Sequence, residues 1–171
     1  MNGIMGMLQG EITITQDRLN KLLAKFGNDN VAITCICEDG NYLQLGIRSK
    51  SQGTVHLRLR LLEARHDQVA SIVKFQLLDR RLEGHPLKGL LFEKMPDAAM
   101  NFLLNLFALP QNIKVANVGD IYTIDLRGWL PQSPLGKKVI MDERVLDCIA
   151  ISSVELEAGR IIVKGKIDIT S

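Results

Sequence analysis

Apolar and polar residues alternate along most of this chain, and the places where the alternation stops are as informative as the places where it holds. Strict alternation marks a strand with one dry and one wet face. Glu11 to Thr15 alternates and predicts a short strand. The period then changes: Leu19, Leu22, Leu23 and Phe26 fall at i, i+3, i+4 and i+7, with Thr15 as N-cap, Asp17 in the first turn and Gly27 as the stop. Val31, Ile33, Cys35 and Cys37 line one face of the next strand, and Asp39-Gly40 predicts a two-residue hairpin turn before Tyr42 to Ile47 returns. Val55, Leu57, Leu59 and Leu61 continue the dry face against His56, Arg58 and Arg60 on the wet one. After a turn at Arg65 to Gln68, Val69, Ser71, Val73, Phe75 and Leu77 repeat it, with Lys74 and Gln76 outward. This is the signature of an antiparallel meander.

The alternation gives way at Gly84-His85-Pro86, where Leu87 to Phe92 reads as a short helical turn. It is replaced by an almost wholly apolar stretch, Met95 to Leu109. Pro96 and Asp97 suit a first helical turn, and Pro110 stops the run. Ala99, Phe102, Leu103 and Leu106 form one face, and Met100, Leu104, Phe107 and Leu109 widen it past an ordinary stripe. Such a helix needs enclosure by protein, lipid or ligand, and it is short for a bilayer span. Two strand-like stretches follow around Gly119-Asp120, then a short helix over Asp142 to Ala150, then a hairpin from Val154 to Ile169 turning at Ala158-Gly159. The expectation is one α+β domain over residues 1–171: a strongly curved antiparallel sheet wrapped around the 95–109 helix, with the 16–26 helix at one end. A weak internal echo relates residues 17–47 to 143–167.

Composition changes this picture little. Of 171 residues, 46% are apolar and 23% charged, as in ordinary globular domains. Aromatics make up 5%, too few for base-stacking platforms. Charge is uneven: residues 47–94 hold ten Lys/Arg against five Asp/Glu, and both flanking regions are slightly acidic. Three cysteines make an odd count, and Cys35 and Cys37 read as buried thiols of a reducing compartment. No basic n-region or long apolar core opens the chain, and no charge-free window reaches transmembrane length, so the expected location is the cytoplasm.

Candidate chemistry is sparse. No Gly-rich phosphate loop, nucleophile elbow or His-Glu-x-x-His is present. His56, His66 and His85 lie on a wet strand face, in a turn and before a proline, with nothing to gather them around a metal. Catalytic residues, metal ligands and cofactors are therefore all expected to be none. Asp79, Arg80, Arg81 and Glu83 read as a surface ion-pair network, and Trp129 as an edge of the core or an amphipathic anchor. Arg58, Arg60 and Lys74 read first as a solvated sheet face; as a modest basic patch they would suffice for an anionic membrane surface, while the signal for nucleic acid is not strong.

The order of elements resembles a family. Ile12-Thr-Ile-Thr-Gln-Asp-Arg-Leu-Asn-Lys-Leu-Leu23 leads into a meander of amphipathic strands, then the Pro-led apolar helix, then further hairpins. From about Ile12 to Ile167 this is similar to the tubular lipid-binding (TULIP) superfamily, in particular its small bacterial single-domain members. The resemblance implies a curved sheet around a helix and non-enzymatic binding of a lipid or other apolar ligand between them. It implies a groove lined by Leu57, Leu59, Val73, Phe75, Phe102, Leu103, Leu106 and Phe107. The alternative is a structural or protein-interaction module whose interior is filled by its own side chains, with an oligomer possible.

Overall fold

The computed structural model describes residues 6–26, 29–94, 112–133, 136–140 and 143–169. The apolar stretch 95–109, around which a wrapped sheet was expected, lies outside the described residues. Strands account for 60% of the structure, and the helices are short. In chain order the elements are β1 (Gly6–Thr15), α1 (Gln16–Phe26), β2 (Val31–Glu38), β3 (Tyr42–Ser49), β4 (Gly53–His66), β5 (Ser71–Glu83) and α2 (Pro86–Lys94). They continue with β6 (Lys114–Val118), β7 (Ile121–Asp125), β8 (Val139–Ile140), β9 (Glu143–Arg144), β10 (Ile149–Glu157) and β11 (Arg160–Ile169). A 3-10 turn at Leu130–Gln132 and a helical turn at Val145–Cys148 complete the set.

Nine strands form one open antiparallel sheet. Its spine runs β1-β11-β10-β4-β5-β7-β6, and the β2–β3 hairpin branches from β4. β3 pairs with β4 over Gly53 to Arg60, whereas β10 meets β4 at Ile151 opposite His66. The sheet therefore forks along β4 into two wings. The fork is bridged at the β2–β3 turn, where Asp39 Oδ1 accepts from the Ala158 N–H (2.9 Å), the Cys37 carbonyl accepts from the Gly159 N–H (3.0 Å), and Asn41 makes three bonds. The Asn41 N–H donates to the Leu156 carbonyl (3.2 Å), the Asn41 carbonyl accepts from the Leu61 N–H (2.8 Å), and Asn41 Oδ1 accepts from the Leu156 N–H (2.8 Å). To do this Asn41 adopts a left-handed φ of 66°, which asparagine tolerates better than most residues. The expected two-residue turn at Asp39-Gly40 is consequently a three-residue loop, since Glu38 pairs with Tyr42.

α1 begins as the sequence predicts, with Thr15 Oγ1 accepting from the Arg18 N–H at 3.4 Å. It lies along the outer edge of β2 and serves it as a strand would. Gln16 Oε1 accepts from the Cys37 N–H (2.9 Å), and Asn20 bonds both the N–H (2.7 Å) and the carbonyl (3.0 Å) of Cys35. The two amides sit four residues apart, one above the other on a helix. They cover an edge that would otherwise invite another strand.

The core gathers on one face of β3, β4 and β5. Ile47, Val55, Leu57, Leu59, Leu77 and Leu82 pack with Phe92 of α2 and Tyr122 of β7. The dry faces are those the alternation predicts, although β4 and β5 each carry a bulge, leaving Leu62 and Leu78 out of register and exposed. One bulge in each strand keeps both alternations in phase.

Candidate functional site

A hollow of about 900 Å³ lies on the wet face of β2 to β5, opposite the core. The strand registers lay out its floor as rows of side chains. The first row is Ala32, Arg48, Thr54 and Glu83; the second is Thr34, Gly46, His56 and Arg81. The third is Ile36, Gln44, Arg58 and Asp79. Beyond them stand Glu38, Tyr42, Arg60 and Gln76. The hollow exists because small residues meet in its middle. Gly46 has no side chain, and a Cβ built there would come within 2.9 Å of Thr34 Oγ1.

Charges in these rows are mostly matched. His56 Nε2 faces Glu83 at 3.5 Å, Arg81 Nε faces Asp79 at 3.4 Å, and Arg58 Nη2 faces Glu38 at 3.3 Å. Arg58 and Arg60 also lie over the Tyr42 ring, 5.2 and 5.7 Å from its centroid. Arg48 differs: among the described residues it has no ion-pair or hydrogen-bond partner, and it stands two residues from Gly46 along β3. Ile36, half exposed at 50%, occupies the other end of the hollow. A guanidinium free to take two oxygens of a carboxylate or phosphate thus faces an aliphatic side chain across a bare floor. Arg48 and Ala32 in the first row lie four residues from the third, roughly 13 Å at ~3.3 Å per residue.

Of the residues expected to line an apolar groove, the four that are described share the core-facing side of the sheet. Leu57 and Leu59 are buried members of the core. Phe75 packs against the same core and stacks on Tyr122, with ring centroids 5.5 Å apart. Val73 is half-buried on the same face of β5. Phe102, Leu103, Leu106 and Phe107 lie outside the described residues. Arg58, Arg60 and Lys74 share the wet face as expected, but Arg58 is matched by Glu38, and Lys74 stands opposite Glu63. The Asp79 to Glu83 cluster forms surface ion pairs, while Arg80 bonds the carbonyls that end α2, Nε to Phe92 at 2.7 Å and Nη2 to Glu93 at 3.2 Å. Trp129 sits half-buried just before the 3-10 turn.

The structure also pairs a serine with a histidine that sequence spacing did not bring together. His66 Nε2 donates to the Leu146 carbonyl at 3.0 Å, which leaves Nδ1 to accept from the Ser71 hydroxyl at 2.6 Å. Ser71 is 4% exposed and both ring nitrogens are engaged, so the pair pins the end of the β4–β5 hairpin to the Val145–Cys148 turn. The one sequence signal for it was their position as cross-strand neighbours flanking a short turn. Cys35 and Cys37 are buried free thiols. Burial, and then the neighbouring Cys37, pushes the Cys35 thiol up to about 11, and burial raises Cys37 as well. Among the described residues no three His, Cys, Asp or Glu side chains converge as metal ligands would.

No family model matches this chain, and no curated protein or solved structure matches it either, so the geometry of the hollow carries the functional argument.

Proposed function

We propose that this chain is a non-enzymatic binding domain for an amphipathic anion, such as an acyl chain with a charged head, held across the wet face of β2 to β5. One observation carries the reading: a 900 Å³ hollow with unmatched Arg48 at one end, exposed Ile36 at the other and bare Gly46 between them. Its volume falls within the roughly 300–1,000 Å³ of ligand pockets. The head would meet Arg48, and the tail would cross Gly46 toward Ile36. The lipid class expected from sequence is kept, but its place moves from the dry face to the wet one, because Leu57 and Leu59 already serve the core. The curved sheet wrapped around the 95–109 helix, expected from sequence, is part of the same proposal. A binder rather than an enzyme is favoured because His56 faces Glu83 and the Ser71–His66 pair is buried.

Calorimetric titration with laurate, and with the uncharged alcohol of equal length, tests the reading. Laurate is expected to bind one per chain, and the alcohol weakly. Arg48→Ala should weaken laurate about tenfold or more, the worth of a charge-assisted hydrogen bond. Absence of laurate binding, or an Arg48→Ala protein that binds like the parent, sinks it.

A second reading, an interaction module, draws on aliphatic side chains left outside: Ile12 of β1 is 62% exposed and Ile167 of β11 is 40% exposed on the same face. Light scattering that finds a dimer dissociated by Ile12→Asp would favour it.

A further inference from the structure

We infer that α2, together with the turn before β4, forms a docking face for an anionic bilayer surface. α2 is fixed to the sheet on one side. Phe92 is 2% exposed in the core, and Gly89 lies so close to β5 that a Cβ would stand 2.8 Å from the Leu82 carbonyl. Both ends are tied. Arg80 bonds the last carbonyls of the helix, His85 Nε2 donates to the Ser51 carbonyl at 3.2 Å, and Lys88 Nζ donates to Gln52 Oε1 at 3.0 Å. The opposite side of this anchored helix presents two leucines. Leu87 is 81% exposed and Leu90 56% exposed, three residues apart and hence on one face. Aliphatic side chains held outward on a firmly packed helix are not an accident of looseness.

Charge selects the occupant. Lys50, Lys88 and Lys94 are exposed around the leucines, against the single helix carboxylate of Glu93. Glu83, nearby on β5, is turned toward His56, 3.5 Å from its Nε2. Lysines beside exposed aliphatics suit an anionic lipid surface, where the stems lie along the acyl boundary and the ammonium groups reach the phosphates. The chain also runs from Lys94 directly into Met95–Leu109, the most apolar stretch of the sequence. Among the described residues no helix is long and apolar enough to cross a membrane, so the contact of α2 is with the surface. The docking face and the Arg48 row occupy the same end of the sheet, since Glu83 pairs with Thr54 and the helix follows Gly84.

Co-sedimentation of the whole chain with phosphatidylcholine vesicles, with and without phosphatidylserine, decides the matter. The parent should sediment with the phosphatidylserine vesicles and be released by salt. Leu87→Glu and Leu90→Glu should each lower partitioning about tenfold, given the transfer free energy of a leucine side chain. Both positions are exposed, and unchanged circular dichroism would show that the variants fold. Val118→Glu, at an equally exposed site on β6, should bind like the parent. Arg48→Ala should keep vesicle binding while losing laurate, which separates this face from the hollow. A parent that ignores anionic vesicles, or glutamate variants that bind undiminished, overturns the inference.

Discussion

The two wings of the sheet obey the same alternating code and end differently. In the wing built on β3, β4 and β5, the apolar face is capped by Phe92 and Tyr122, and Ile47 and Val55 are each only 1% exposed. In the wing of β1, β11 and β10, the apolar face runs through Ile12, Ile14, Ile161, Val163, Ile151 and Ile167, yet Ile12 and Ile167 remain exposed and the rest only half-buried. Alternation fixes which side chains share a face. Burial needs a second layer: Phe92 and Tyr122 supply one to the first wing, whereas in the second burial is confined to Leu156 and, on the opposite face, Ile162. The cross-strand pair Gly10 and Gly165 sharpens the contrast by leaving a small hollow of about 120 Å³ on the second wing.

The largest expected effect sets the wings directly against each other. Phe92→Ala should cost about 3–5 kcal/mol in urea unfolding, from lost burial and the cavity left behind. Ile12→Ala should cost under about 1 kcal/mol, because little surface is returned to water. Equal losses would mean that the second wing is covered after all. Next is the edge guard. Gln16→Ala with Asn20→Ala leaves the Cys35 and Cys37 N–H groups without their partners, and about 2–3 kcal/mol of stability should go with them. A freed β2 edge should also raise aggregation, visible as turbidity on heating.

The joint between the wings comes third. Asn41→Gly keeps the left-handed backbone and removes one hydrogen bond, a loss of about 1 kcal/mol. Asn41→Ala adds strain at the same φ and should cost about 1 kcal/mol more. Hydrogen exchange should quicken at Leu156 and Leu61 before it changes at Val55. The smallest effect is on pH. Cys35 titrates near 9.0 when unfolded and about 11 when folded, so its contribution to stability is complete below pH 9 and fades as pH rises toward 11. Denaturation midpoints of the parent should therefore fall more steeply over that range than those of Cys35→Ala. Parallel curves would show the thiol to be wetter than its 2% exposure implies.

Much of the first wing was legible in the sequence. Val55, Leu57 and Leu59 against His56, Arg58 and Arg60 can only be a half-buried strand, and both faces lie where the period of two puts them. The α1 helix was legible through Thr15 and its leucines, although Leu22 is 44% exposed because the helix turns its amides, not only its apolar stripe, toward β2. Less was visible wherever a residue answers to a distant one. Asn41 reads as part of a local turn, and its task lies with Leu156, on the other wing. The extra residues Leu62 and Leu78 look like ordinary members of apolar runs until the register exposes them. The first strand is longer than the alternation predicts, and the helix expected over Asp142 to Ala150 shrinks to Val145–Cys148 because Ile149 already belongs to β10. The hollow was not legible at all. It arises only when Gly46, Thr34 and His56, drawn from three strands, fall into one row.

The pairing of β1 with β11 has a consequence in time rather than space. Ten successive residues, Gly6 to Thr15, find their ladder partners among the described residues in Arg160 to Ile169, almost the whole length of the chain away. A ribosome releases the first of these strands long before it has made the second. Until then the β1 backbone is unpaired, and α1 has no finished neighbour on that side. Contacts of such long sequence separation slow folding and lengthen the exposure of sticky edges. This chain should therefore gain its last wing late, in a slow step that a chaperone would shorten and a truncation inside β11 would abolish.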